Sequence, residues 1–177
     1  MGKQYRKLEQ RDIEFIKIQK MFYIASTSGQ EVNLSPKGYD TIRVLDESTL
    51  LFASLPGSGN RTYRDAVNDG EFTLLFNAFE GAPLILRLFC KTEIIEESDK
   101  RYHSYLEYFN LRKGIIRNLF LFHIYAVESS CGMSVPYMEY KGERDELKEW
   151  AVDMNRRDQL NEYNDKHFTP PDLSKLN

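Results

Sequence analysis

The stretch Leu55-Pro-Gly-Ser-Gly-Asn-Arg-Thr62 gathers the residue types that a phosphate monoester needs. Gly57 and Gly59 let backbone approach a ligand closely. Ser58, Asn60 and Thr62 add short polar side chains, and Arg61 adds a planar fork that matches phosphate oxygens. A short helix is expected to follow, to about Asn68. Asn60 or Thr62 would cap it, and Asp65 lies three residues after Thr62 as in a capping box. The unpaired N–H groups of that helix start would favour the same anion.

Two other readings compete. One is a surface loop with an exposed arginine, because Gly, Ser and Asn are common at helix starts in any case. The other is a dinucleotide turn, since Gly57-Ser58-Gly59 begins like G-x-G-x-x-G. Thr62 stands where the third glycine belongs, and the following strands pair by hairpin, which argues against that turn. The P-loop pattern G-x-x-x-x-G-K-[ST] does not occur.

Positioning such a loop falls to the surrounding elements. Leu8 to Lys20 has the apolar spacing of an amphipathic helix, with Ile13 and Ile16, then Phe15 and Ile18, three apart. Strands are expected at Met21–Thr27 and, after the turn Ser28-Gly29-Gln30-Glu31, on a return from Val32 that Pro36 and Gly38 interrupt and Thr41–Leu45 resumes. Further strands are expected at Thr49–Leu55, Phe72–Phe79, Leu84–Ile95 and Ile115–Val127. The last is apolar on both faces, as in a closed barrel or an interface. Helices are expected over Ser98–Lys113 and from Glu143 to about Asn155. The tail from Asn161 is polar and is expected on the surface. The connections are too short for parallel crossovers, so the chain predicts a small mainly β protein: about six antiparallel strands in a barrel with peripheral helices.

Composition narrows the partners. The chain has 177 residues, 41% hydrophobic and 29% charged, with eleven Phe and eleven Tyr. That suits one domain with a sizeable core. A net charge of −3 offers no basic field for a nucleic-acid backbone. Cys90 and Cys131 make no disulfide framework, and the charged segment Met1–Lys20 has no apolar h-region, so a cytoplasmic protein without a membrane span is expected. No His or Cys pair has metal-ligand spacing, so no metal site is expected. His103 is expected on the surface, His123 packed and hydrogen-bonded within its strand, and Arg87, in an apolar run, in need of a partner.

A series of motifs then carries a family resemblance. Asn33-Leu-Ser-Pro-Lys-Gly38, Asp40-Thr-Ile-Arg-Val-Leu45, Gly57-Ser-Gly-Asn-Arg-Thr62 and Phe76-Asn-Ala-Phe-Glu-Gly-Ala-Pro-Leu-Ile-Leu-Arg87 occur in this order. Cys131-Gly-Met-Ser-Val-Pro136 and Tyr140-Lys-Gly-Glu-Arg-Asp145 follow. The chain resembles, over roughly residues 10 to 155, the pyridoxamine 5'-phosphate oxidase-like FMN-binding split-barrel family, in a branch without a settled substrate. The resemblance implies a single six-stranded split-barrel domain over residues 1–177 and a homodimer with FMN at the subunit interface. It makes Ser58, Gly59, Asn60, Arg61 and Thr62 the phosphate contacts. It sets Asn33, Ser35 and Lys37 at the ring edge, and Ala53 and Ser54 near the ribityl chain or ring.

Lys37 is then the candidate for the positive charge near flavin N1; an exposed kink after Pro36 is the alternative. The family's basic C-terminal Arg-Leu-x-Pro signature is absent from His167–Lys175, which speaks against vitamin B6 phosphate oxidation. The implied activity is flavin-dependent oxidation or reduction of a small molecule, with no residue marked as a catalytic acid or base. Flavin binding without turnover, as sensor or carrier, is the alternative, and deazaflavin F420 or haem are alternative occupants of the same barrel.

Overall fold

The structure is a computed structural model that describes residues 2–175. Eight antiparallel strands form one curled sheet: β1 (Lys3–Tyr5), β2 (Phe22–Thr27), β3 (Asn33–Lys37), β4 (Ile42–Asp46), β5 (Thr49–Ser54), β6 (Glu71–Asn77), β7 (Ile85–Ile95) and β8 (Asn118–Ser130). The order across the sheet is β3-β2-β6-β7-β8-β5-β4. The far end of β8 also pairs with β1, Gln4 opposite Glu128. The helices are α1 (Gln10–Ile18), α2 (Arg61–Val67), α3 (Tyr102–Leu106), α4 (Glu146–Arg156) and α5 (Leu160–Lys166). The fold is the mainly β split barrel that the sequence implies, with eight strands where six were expected.

The core explains the alternation of the strands. Phe22, Ile24, Phe52, Phe72, Phe76, Phe120 and Phe122 point into the curl and are buried together under α1. Phe22 stacks on Phe76 at 5.4 Å between ring centroids, and Phe52 on Phe120 at 5.9 Å. A second cluster lies on the other face of β5 and β8, where Leu51, Ala53, Leu119 and Leu121 pack against Leu106, Phe109 and Ile116. That is why β8 is apolar on both faces.

The interrupted return strand is two strands, and the interruption makes the split. β3 pairs with β2 at one edge of the sheet, while β4 pairs with β5 at the opposite edge. Residues 38–41 carry the chain across the opening between them. Tyr39 and Asp40 adopt φ values of 60° and 54°, a costly region for residues with side chains. The Arg43 guanidinium grips both carboxylate oxygens of Asp40 at 2.7 Å, and the Thr41 hydroxyl donates to Gly38 O at 2.7 Å. These contacts hold the crossing in place. Pro36 stays within β3 because that strand is an edge, where a missing N–H costs little.

Two expectations are corrected. The helix expected over Ser98–Lys113 is only the five residues of α3, preceded by a turn in which Asp99 accepts from the Arg101 backbone and guanidinium. His123 is exposed rather than packed, with Nε2 3.6 Å from Glu93. The tail from Asn161 lies on the surface as expected, exposed or half-buried among its described residues, and it rests on the loop that precedes α2, where Asn60 donates to Phe168 O and Arg61 to Pro171 O.

Candidate functional site

A cleft of about 210 Å³ opens at the split. Lys37 and Gly38 wall it from the crossing, Ala53 and Ser54 from the end of β5, and Gly59, Asn60 and Thr62 from the loop. Leu147 of α4 closes one side. Lys37, Ala53, Ser54, Gly59, Asn60 and Thr62, six of the ten residues expected to hold a cofactor, therefore line one cavity. Asn33, Ser35, Ser58 and Arg61 lie outside its lining.

The β3 wall follows from strand alternation. Asn33, Ser35 and Lys37 turn inward, while Leu34 and Pro36 are exposed. The Asn33 amide donates to Ser26 Oγ at 3.1 Å and to Thr62 Oγ1 at 3.3 Å, joining β3 to the start of α2. Ser35 Oγ is buried without a hydrogen-bond partner. Burial lowers the Lys37 pKa, and no carboxylate pairs with its ammonium among the described residues. An orphaned hydroxyl and an unneutralised cation on one strand face are groups that a polar ligand would satisfy. A wider cavity of about 360 Å³ shares Pro36, Lys37, Gly38 and Tyr39 with the cleft.

The loop wall is organised differently. Arg61 donates from Nε to Glu31 Oε1 at 2.7 Å and from Nη2 to Pro171 O at 3.2 Å. Its Nη1 remains beside Gly59, 3.9 Å from where a Cβ would stand. Arg64 Nη1 also donates to Glu31, at 2.6 Å. Hydrogen bonds from Arg61 and then Arg64 pull the Glu31 pKa down to about 2. Asn60 Nδ2 donates to Phe168 O at 2.9 Å, and Phe168 rests edge-on against Tyr63, 5.0 Å between centroids. No capping box forms at α2: Asn60 makes no side-chain cap, and Asp65 turns away from the loop. Asp65 is fully buried and accepts from Ser26 Oγ at 2.7 Å and Ser28 Oγ at 2.8 Å, with Arg64 beside it. It fastens α2 to β2.

Sequence reasoning missed Arg117, Glu31 and the tail, which are remote in sequence from the loop they touch. It also left Arg87 open; that guanidinium meets Glu128 at 3.3 Å and Ser130 Oγ at 3.1 Å within the chain. Cys90 is buried, with its thiol pKa raised, and Cys131 is exposed. Among the described residues no His, Cys, Asp and Glu cluster could hold a metal ion, and no helix is long and apolar enough to cross a membrane.

No family model matches the chain. In sequence it is 32% identical over 126 residues to a pyridoxamine 5'-phosphate oxidase family protein, ustO, of Aspergillus flavus. That alignment covers 68% of this chain and 51% of the relative, so the chain spans about half the length of the curated relative it matches. In structure it is similar to a pyridoxamine 5'-phosphate oxidase candidate from Lactobacillus delbrueckii, with a TM-score of 0.54 at 15% identity over 70% of this chain and 98% of that one. A FAD-binding protein from Mycobacterium smegmatis gives a TM-score of 0.50 at 10% identity, over 71% of this chain and 97% of that one.

Proposed function

From a chain that resembles the pyridoxamine 5'-phosphate oxidase family in sequence and shares its split-barrel fold, we propose an FMN-binding protein with the flavin in the cleft at the split. The observation that carries this is the convergence of Lys37, Ser54 and Gly59, Asn60 and Thr62 on one cavity from three separate parts of the chain. The residues suit the group. Lys37 supplies a cation without a counter-ion for the electron-rich N1 and O2 edge of the ring, and the free Ser35 hydroxyl lies on the same strand face. Asn60, Thr62 and the backbone of the glycine-rich stretch take the phosphate. Arg61 Nη1, which lies beside Gly59, would add a charged donor, and Ser58 would add a hydroxyl, from outside the lining of the cleft.

Bound FMN would supply hydride or electron transfer at its N5 position. The chain contributes orientation and charge, and it works as a homodimer whose second subunit covers the open face of the flavin. The activity we assign is oxidation or reduction of a small molecule. Flavin binding without turnover is the second reading. It is favoured by the cleft lining, in which Lys37 and Tyr39 are the only titratable side chains and neither histidine nor carboxylate occurs.

The absorption spectrum of the purified protein, before and after addition of FMN, tests the binding. A flavin spectrum and tighter retention of FMN than of riboflavin are expected. A colourless protein that cannot be reconstituted overturns the proposal. Anaerobic mixing with NADPH or NADH then separates the readings: bleaching supports turnover, and inertness supports the carrier.

A further inference from the structure

Arg117 stands behind the loop, at the start of β8, and carries none of the marks of a phosphate ligand. It is absent from the cleft lining and pairs with no carboxylate among the described residues. Its guanidinium is instead aimed at backbone oxygens. Nη1 donates to Gly57 O at 3.2 Å and to Gly59 O at 3.5 Å, and Nη2 donates to His167 O at 2.8 Å. Its own N–H donates to Ser54 O at 2.8 Å, at the foot of the loop. One residue therefore holds the loop stem, two loop carbonyls and the tail.

Peptide geometry gives this grip a consequence. In a trans peptide the C=O of one residue and the N–H of the next point in opposite directions. Drawing the Gly57 and Gly59 carbonyls toward Arg117 turns the Ser58 and Asn60 N–H groups the other way. Gly57, Gly59 and Asn60 line the cleft while Arg117 does not, so the other way is toward the cleft. Neither N–H finds a protein acceptor among the described residues. A glycine-rich loop would otherwise sample both peptide orientations, because glycine restricts neither.

We propose that Arg117 is a positioning residue for the phosphate: it clips the loop by its carbonyls so that the Ser58 and Asn60 amides are presented to the anion before it arrives. This rests on the FMN reading of the cleft. It assigns to Arg117 a share of phosphate affinity that acts through the backbone, and no contact with the ligand.

The test compares Arg117→Gln and Arg117→Lys with the unaltered full-length chain, using FMN and riboflavin as paired ligands. Arg117→Gln is expected to reduce the preference for FMN over riboflavin about tenfold while leaving riboflavin affinity within about twofold. Arg117→Lys, which can still donate to one carbonyl, recovers part of that preference. Amide NMR signals of Ser58 and Asn60 in the ligand-free chain provide the second readout. They are sharp in the unaltered protein and broadened in Arg117→Gln, whether or not flavin binds. Equal loss of both ligands, or unchanged loop amide signals in Arg117→Gln, overturns the proposal. Should Arg117→Gln fail to fold, Arg117→Lys carries both readouts, and loop signals and FMN preference equal to those of the unaltered chain overturn it. An unaltered chain that binds FMN no better than riboflavin counts against the phosphate assignment instead, and the amide signals still decide the clip.

Discussion

The two walls of the cleft treat their polar groups in opposite ways. On β3, Ser35 Oγ has no partner and Lys37 no counter-ion. On the loop, Asn60 and Arg61 are engaged by Phe168 O, Pro171 O and Glu31. A ligand that meets β3 satisfies groups that burial has already stripped of water, and loses nothing in exchange. A ligand that meets the loop must compete with contacts the protein already makes, so its net gain there is smaller than the donor count suggests. Affinity should therefore depend more steeply on β3 than on Arg61, although the loop is the more conspicuous stretch of sequence.

The largest expected effect comes from breaking the seam between the walls. Asp65 is fully buried and joins α2 to Ser26 and Ser28 of the β2 end, with the Arg64 guanidinium against it. Asp65→Ala leaves two hydroxyls and a guanidinium without their acceptor, and is expected to cost roughly 3 kcal/mol of stability. Denaturant unfolding measures the cost directly. If the seam holds the two walls in register, flavin retention should also fall well below that of the parent chain. A variant as stable as the parent would show that β2 and α2 are held by apolar packing alone.

Lys37 tests the β3 wall. Its pKa is lowered by burial, so the unfolded chain binds more protons between the folded value and 10.5, and stability must rise as pH climbs through that window. Lys37→Met removes a desolvated charge and keeps the apolar stem. It should be more stable than the parent at neutral pH, by on the order of 1 kcal/mol, and the advantage should fade as pH approaches 10.5. Flavin affinity should move the other way, weakening by about 1.5–3 kcal/mol if the ammonium meets the flavin edge. Thermal melts across pH and flavin titrations give the two numbers. A variant that is less stable at neutral pH and binds flavin normally would make Lys37 a structural lysine.

How much of this was legible depended on sequence distance. The loop could be read because Gly57 to Thr62 are contiguous, and the β3 face because a strand alternates. The split was half legible: Pro36 and Gly38 marked a break, but only the pairing of β3 and β4 with opposite edges reveals that the break crosses the opening. Arg117 is 60 residues from Gly57, Glu31 is 30 from Arg61, and Pro171 is 110 from it. No periodicity links such pairs. The segment around α3 failed for another reason. Tyr102, Tyr105, Leu106 and Phe109 have helical spacing, yet short helices draw their stability from tertiary packing. Leu106 and Phe109 reach the second apolar cluster from one turn of helix and an irregular segment. The spacing recorded the contact, and the helix stopped once the contact was made.

The smallest effect belongs to Glu31, and it sharpens the contrast between the walls. Its carboxylate is held at a pKa of about 2 by Arg61 first and Arg64 second, at a site open to solvent that weakens the pairing. A depressed carboxyl pKa contributes stability that is complete above the unfolded value of 4.5 and is lost as pH falls through about 2. The stability gap between the parent and Glu31→Gln should thus be constant above pH 4.5 and close on acidification; a gap that widens toward pH 2 would contradict the pairing. The same substitution releases Arg61 Nε and Arg64 Nη1 on the loop wall. With a negative charge gone and two donors freed, FMN should gain over riboflavin by about two- to fivefold. Paired titrations near neutral pH check this. An unchanged ratio would mean that Arg61 stays turned toward Pro171 and Arg64 toward Asp65 even without Glu31, and that the tail restrains the loop more than the carboxylate does.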